Sequence, residues 1–128
     1  MTLNFKNILI TENQPIRSAL EKINRSGLKN IIVVDSKNKF KGIISDGDVR
    51  RAILKKIRLN DEVKKIFNKK PIYVYENEYE IEKIKKIFIK KQIDIIPIIS
   101  RKKKVVVNVI KAIDTLYKKN QLSLKKVA

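Results

Sequence analysis

The chain has 128 residues, 43% hydrophobic and 34% charged, and 31 Lys and Arg against 13 Asp and Glu give it a net charge of +18. That length fits one compact domain, or two half-domains that share a core, and the composition is that of a folded chain. With no Cys and no His, the sequence excludes disulfides, the usual zinc ligands and Ser-His or Cys-His nucleophile pairs.

The elements are read in chain order. Residues 7–10 form a short extended stretch and 11–14 a polar turn. Pro15 suits a first helical position and Gly27 a helix stop. Between them Ile16, Ala19, Leu20 and Ile23 share one helical face. Residues 31–34 are apolar throughout, as a strand buried on both faces is. A turn at 36–39 leads to a second strand at 40–45, and 47–56 forms a closing helix. Residues 59–68 predict a connector with a short helix started by Asn60 or Asp61, its Val63, Ile66 and Phe67 turned inward.

The same order then returns at an offset of about 65 residues. Residues 72–75 are extended and 76–79 form a polar turn. A helix follows with Ile81, Ile84, Ile87 and Phe88 on one face. Strands at 95–99 and 104–110 flank a turn at 101–103, and 112–119 closes the copy. The expected fold class is α+β: two pseudo-symmetric β-α-β-β-α repeats packed through their sheets, because neither repeat can bury its faces alone. The first occupies 1–58, the second 59–120 with its short leading helix, and 121–128 reads as a tail or linker.

No apolar run approaches the roughly 20 residues that span a bilayer, and the first residues lack the apolar core of a secretion signal. A cytoplasmic protein with no membrane partner is expected. The positive charge favours anionic partners, nucleic acid among them. Most of it is Lys spread in pairs, such as 55–56, 85–86 and 118–119, which equally describes solvated helix and hairpin faces.

The most distinctive stretch is Gly42-Ile43-Ile44-Ser45-Asp46-Gly47-Asp48-Val49-Arg50-Arg51, where a buried strand hands over to a helix. Free N–H groups and the helix dipole there favour a phosphate. The Ser45 hydroxyl can donate to that phosphate, and Asp48 can accept from two ribose hydroxyls. Arg50 and Arg51 can add charge-assisted contacts. The same residues also suit a simpler role, with Ser45 or Asp46 capping the helix and Asp48 lying against its positive end. Read as a metal-holding pair, Asp46 and Asp48 lack a third ligand, so no independent enzyme is expected.

This stretch resembles the Gly-hydrophobic-hydrophobic-Ser/Thr-x-x-Asp signature of CBS domains. Val63-Lys64-Lys65-Ile66-Phe67 through Pro71-Ile72-Tyr73-Val74 is similar to the opening of a second CBS domain. Ile95-Ile96-Pro97-Ile98-Ile99 resembles the family's hydrophobic-Pro-Val-Val strand. The resemblance spans nearly the whole chain and implies two CBS repeats joined as a Bateman module. Such a module is a non-catalytic, ligand-sensing regulatory unit that often dimerises. It binds AMP, ADP, ATP or a related nucleotide or nucleotide-sugar in a cleft between its repeats, and it controls an attached or partner enzyme.

Carried over residue by residue, the resemblance puts Ser45 against phosphate and Asp48 against ribose, with Asp46 and Arg51 beside them. Ile8, on the opening strand, would wall the base, and Lys29 and Asn30 would meet its edge through their backbone. Ile8 also reads as core packing and Lys29 as an exposed helix-exit lysine. In the second repeat one extra hairpin residue sets Asn108 against Gly42, Lys111 against Ser45 and Asp114 against Asp48. That makes a degenerate second site, in which Lys111 would act as a point charge and Asp114 would hold ribose or serve only as a first-turn acid. The string from Ser45 to Arg51 is similar to CBS modules attached to arabinose-5-phosphate isomerases and sugar-phosphate nucleotidyltransferases. The competing expectation is a basic nucleic-acid-binding protein using its +18 charge, against which stand the few aromatics, 6% of residues.

Overall fold

The computed structural model of the chain describes residues 5–117. A 3-10 turn, Phe5–Ile8, leads into β1 (Leu9–Thr11), α1 (Ile16–Ser26), β2 (Asn30–Val34), β3 (Phe40–Ser45) and α2 (Asp46–Leu54). A connector with a 3-10 turn at Val63–Lys65 follows. The second repeat supplies β4 (Val74–Tyr75), α3 (Ile81–Lys91), β5 (Ile95–Ile99), β6 (Val106–Lys111) and a π-helical turn, Ile113–Tyr117. Each repeat builds a three-stranded sheet with its β2 or β5 in the centre, parallel to the first strand and antiparallel to the third.

The two sheets match residue for residue. Val33 faces Gly42 as Ile98 faces Asn108, and Asn30 faces Ser45 as Ile95 faces Lys111. Each hairpin carries its irregularity at the corresponding step, Val33/Val34 and Ile98/Ile99. One extra residue in the second turn therefore sets Lys111 at the position of Ser45. The central strands are buried at every position, which explains why Ile and Val fill them apart from Asn30 and Pro97.

Neither sheet closes its core alone. Ile95 and Val109 of the second repeat belong to the cluster formed by Ile8, Ile10, Ile31, Val33 and Ile44 of the first, whereas Ile84, Phe88 and Ile96 form a smaller second cluster. Full burial of each such side chain stabilises by about 1.5–3 kcal/mol. The hairpins also join directly: Lys39 bridges Val105, and the Phe40 N–H donates to the Lys104 carbonyl at 2.9 Å.

Several local expectations need correction. Pro15 stands outside α1 in an extended conformation (φ −69°, ψ 151°), so the helix begins at Ile16. Gly27 does end it, at φ 74°, with its N–H on the Ile23 carbonyl. Ile8 is not on a strand but ends the 3-10 turn before β1, and only Val74 and Tyr75 of 72–75 are strand. The connector has no helix starting at Asn60 or Asp61. Their segment instead packs on the start of α1, where Ile16 N–H donates to the Asp61 carbonyl and Arg17 N–H to that of Leu59. Val63 and Phe67 are buried as expected. Ile81 is 47% exposed rather than inward, because among the described residues no segment packs over the start of α3 as the connector does over α1. The helix expected at 47–56 spans Asp46–Leu54. Of the helix expected at 112–119, the last two residues lie outside the described residues, as does the tail 121–128.

Gly42 has a packing role that its place in a signature does not reveal. The connector crosses β3 there, with Ile43 N–H on the Asn68 carbonyl at 3.1 Å and Asn68 N–H on the Ile43 carbonyl at 2.8 Å. A Cβ at Gly42 would collide with the Asn68 carbonyl oxygen and come within 2.7 Å of the Phe67 ring. Glycine is required because another backbone lies against it.

Candidate functional site

Strands β3 and β6 deliver Ser45 and Lys111 to the same end of the molecule, where each sheet passes into its closing helix or turn. Ser45 is extended (φ −110°, ψ 165°), and its hydroxyl accepts from the Asp48 N–H at 3.1 Å. The Asp48 carboxylate accepts in return from the Ser45 N–H at 2.9 Å, which completes a capping box. Its other oxygen takes the Arg51 guanidinium at 2.7 Å, and Asp46 pairs with Arg50 at 3.7 Å. The capping role open to these residues is therefore realised. A carboxylate offers about four acceptor positions, so Asp48 retains capacity for further donors.

Lys29 and Asn30 meet the second repeat directly. The Lys29 N–H donates to one Asp94 carboxylate oxygen at 2.6 Å, and the Asn30 side-chain amide donates to the other at 2.7 Å. Asn30 is a buried polar residue, so this partner satisfies an amide that would otherwise be costly to enclose. The Lys29 carbonyl accepts from Asp46 N–H at 3.0 Å, just as the Asp94 carbonyl accepts from Ala112 N–H at 2.8 Å. Both backbone polar groups of Lys29 are thus engaged. Sequence reasoning missed Asp94, although the repeat offset sets it at the position of Lys29.

A cavity of about 300 Å³ opens beside this clamp, lined by Asn7, Ile8, Lys22, Arg25, Ser26, Leu28 and Lys111. It brings Ile8 and Lys111 together across the two repeats. Lys111 also borders a second hollow, of about 470 Å³, with Asp94, Phe88 and Leu116. Asp48 and Arg51 border a different, smaller hollow of about 190 Å³ with Lys55 and Lys65. Asp114 is exposed on the turn Ile113–Tyr117. Ile8 is a core residue as well as a cavity wall, being 4% exposed.

The cavity's chemistry follows from its lining. Among the described residues Lys22, Arg25 and Lys111 supply three cations and no carboxylate accompanies them, while Ile8 and Leu28 supply an apolar wall. A flat apolar group bearing an anion suits that combination. Among the described residues no three His, Cys, Asp or Glu gather to hold a metal ion, and no helix is long and apolar enough to cross a membrane.

Residues 4–55 match the family model of the CBS domain. An uncharacterised protein of Helicobacter pylori (strain J99) is 38% identical over 73 residues, which cover 52% of this chain and 22% of that protein. The chain thus spans about a fifth of the length of the curated relatives it matches. Among solved structures, a CBS domain pair/ACT domain protein from Thermotoga maritima superposes with a TM-score of 0.71 at 18% identity, over 89% of this chain and 88% of that one. The cytosolic domain of the Mg2+ channel MgtE, in complex with ATP, superposes with a TM-score of 0.67 at 20% identity, over 87% of this chain and 44% of that one.

Proposed function

From a chain with the fold of a CBS domain pair, we propose a regulatory module that senses an adenine nucleotide or a related nucleotide-sugar at the junction of its repeats. The observation that carries this reading is the cavity beside the Asp94 clamp, where both repeats supply lining and three cations face an apolar wall. Lys22, Arg25 and Lys111 attract phosphates, and Ile8 and Leu28 hold the base. Ser45 and Asp48 lie outside this cavity, Asp48 on the smaller hollow beside Lys55 and Lys65, and they offer a separate phosphate and ribose contact at the start of α2. The ATP complex of the similar MgtE domain supports this ligand class.

Binding across the junction changes how the repeats sit on each other, and it shifts an equilibrium only through its differential affinity for the two arrangements. The regulated activity belongs to an attached or partner enzyme of sugar-phosphate chemistry, a nucleotidyltransferase or an arabinose-5-phosphate isomerase, and the module works as a cytoplasmic homodimer. Lys111 serves this cavity from the position that corresponds to Ser45, and Asp114 is left as the weaker echo of Asp48.

The test is a thermal-shift and calorimetric panel of AMP, ADP, ATP and nucleotide-sugars. At least one raises the melting temperature, and Lys111→Glu abolishes the rise. No shift with any of them at millimolar concentration overturns the sensor reading.

A further inference from the structure

At the end of the sheets away from Ser45 and Asp94, the two β-hairpins meet side by side through the Lys39–Val105 bridge. Three aromatic rings gather there in a chain with few. Tyr73 packs on Phe40 with centroids 5.3 Å apart, and it meets Tyr75 edge-on at 5.4 Å with the two hydroxyls hydrogen-bonded at 3.3 Å. The Arg101 guanidinium lies 3.8 Å from the Tyr75 ring centre, held by a two-point pair with Glu78 at 2.8 and 2.9 Å. Tyr73 is 39% exposed and the Arg101 side chain 58%.

Cations surround this platform. The second turn carries Arg101, Lys102, Lys103 and Lys104 in succession, and the first carries Lys37 and Lys39. Two of the nearby carboxylates are already engaged. Asp35 accepts the backbone N–H groups of Lys37 and Lys39 at 2.8 and 2.9 Å, and Glu78 holds Arg101. Among the described residues Lys37, Lys102 and Lys103 make no ion pair with a carboxylate, and Lys39 interacts with Asp35 at longer range.

We infer that this hairpin end is a binding surface for single-stranded nucleic acid, with Lys37, Lys39, Lys102 and Lys103 on the phosphates and Tyr73 and the Arg101–Tyr75 stack under the bases. Charge alone suits any polyanion. A planar cation fixed on one ring beside a second half-exposed ring is what unpaired bases recognise, and duplexes hide those base faces. An acidic peptide or a lipid surface makes no use of a stacking plane.

The experiment is fluorescence anisotropy with a labelled oligothymidylate of roughly 12 nucleotides, a length within the span of single-strand sites. A matched duplex and phosphatidylserine vesicles serve as rival partners. The oligonucleotide binds more tightly than the duplex, and affinity falls steeply with salt. Lys102→Glu with Lys103→Glu lowers affinity about tenfold or more, since each charge lost removes a phosphate contact. Tyr73→Leu, which keeps an apolar partner for Phe40, lowers it about fivefold or more through lost stacking. Both variants retain the nucleotide response, and the lysine variant also keeps the wild-type melting temperature, so the outcome is independent of the sensor reading. The inference is overturned by absent oligonucleotide binding, by equal or tighter binding of duplex or vesicles, or by wild-type affinity in either variant.

Discussion

Replacing Gly42 by Ala tests whether the signature glycine serves ligand chemistry or packing. The added methyl meets the Asn68 carbonyl oxygen and lies 2.7 and 2.9 Å from two Phe67 ring atoms, so the connector must move away from β3. Backbone cannot give way as a side-chain tip can. Both hydrogen bonds between Ile43 and Asn68 are then stretched or lost, at about 0.5–1.5 kcal/mol each. Phe67, 7% exposed, is lifted partly out of its seat, and overpacking of this kind costs about 1–3 kcal/mol. The expected loss is about 2–6 kcal/mol, read as a lower urea midpoint at unchanged slope. On heating it lowers the melting temperature by roughly 8–24 °C, taking about 4 °C per kcal/mol for a chain of this size. A Gly42→Ala protein within about 0.5 kcal/mol of wild type, the ordinary range for surface changes, would refute the close-approach account.

Other outcomes follow from the same geometry. Asp94→Ala removes the acceptor of both the Lys29 N–H and the Asn30 amide. It is expected to cost about 2–4 kcal/mol in urea unfolding, since the part-buried bond from Asn30 to a charged group contributes about 1.5–3 kcal/mol and the exposed one from Lys29 less. Asp94→Asn, which keeps one acceptor oxygen, should cost less. Ser45→Ala breaks one half of the capping box and should cost about 1 kcal/mol in the absence of nucleotide. The Arg101 hydrogen bond holds the Glu78 carboxyl below its ordinary range, and the Lys39 and Lys37 N–H groups do the same for Asp35. A depressed carboxylate stabilises fully above its unfolded value, and the benefit disappears as pH falls through the folded value. Melting temperature should therefore drop on the acid side, below the ordinary carboxylate range, and Glu78→Gln should make that drop shallower.

Much of the architecture was legible because burial dictates residue type. β2 and β5 are buried on both faces, and so their Ile and Val runs show in the sequence. The one-residue insertion in the second hairpin was readable from the repeat, and the strand registers follow it. Contacts between distant segments were less accessible. The inward reading of Ile81 rested on helical period alone, whereas Ile16 at the corresponding position is buried because the connector packs on it. Ser45 and Asp48 could be placed at a helix start, yet two roles with the same spacing could not be separated until the reciprocal bonds and the Arg51 pair were seen. Asp94 was hidden for a similar reason: its partners lie a whole repeat away, and only their shared place in the two copies links them. The ring cluster of Phe40, Tyr73 and Tyr75 joins both repeats and leaves no local pattern.

The sensor reading depends most directly on one titration. AMP and ATP should be titrated into this chain and into Lys111→Glu by isothermal calorimetry at fixed salt. The account predicts saturable binding to the wild type and at least a tenfold loss in the variant, about 1.4 kcal/mol. Absence of binding, or equal binding by both proteins, would contradict it.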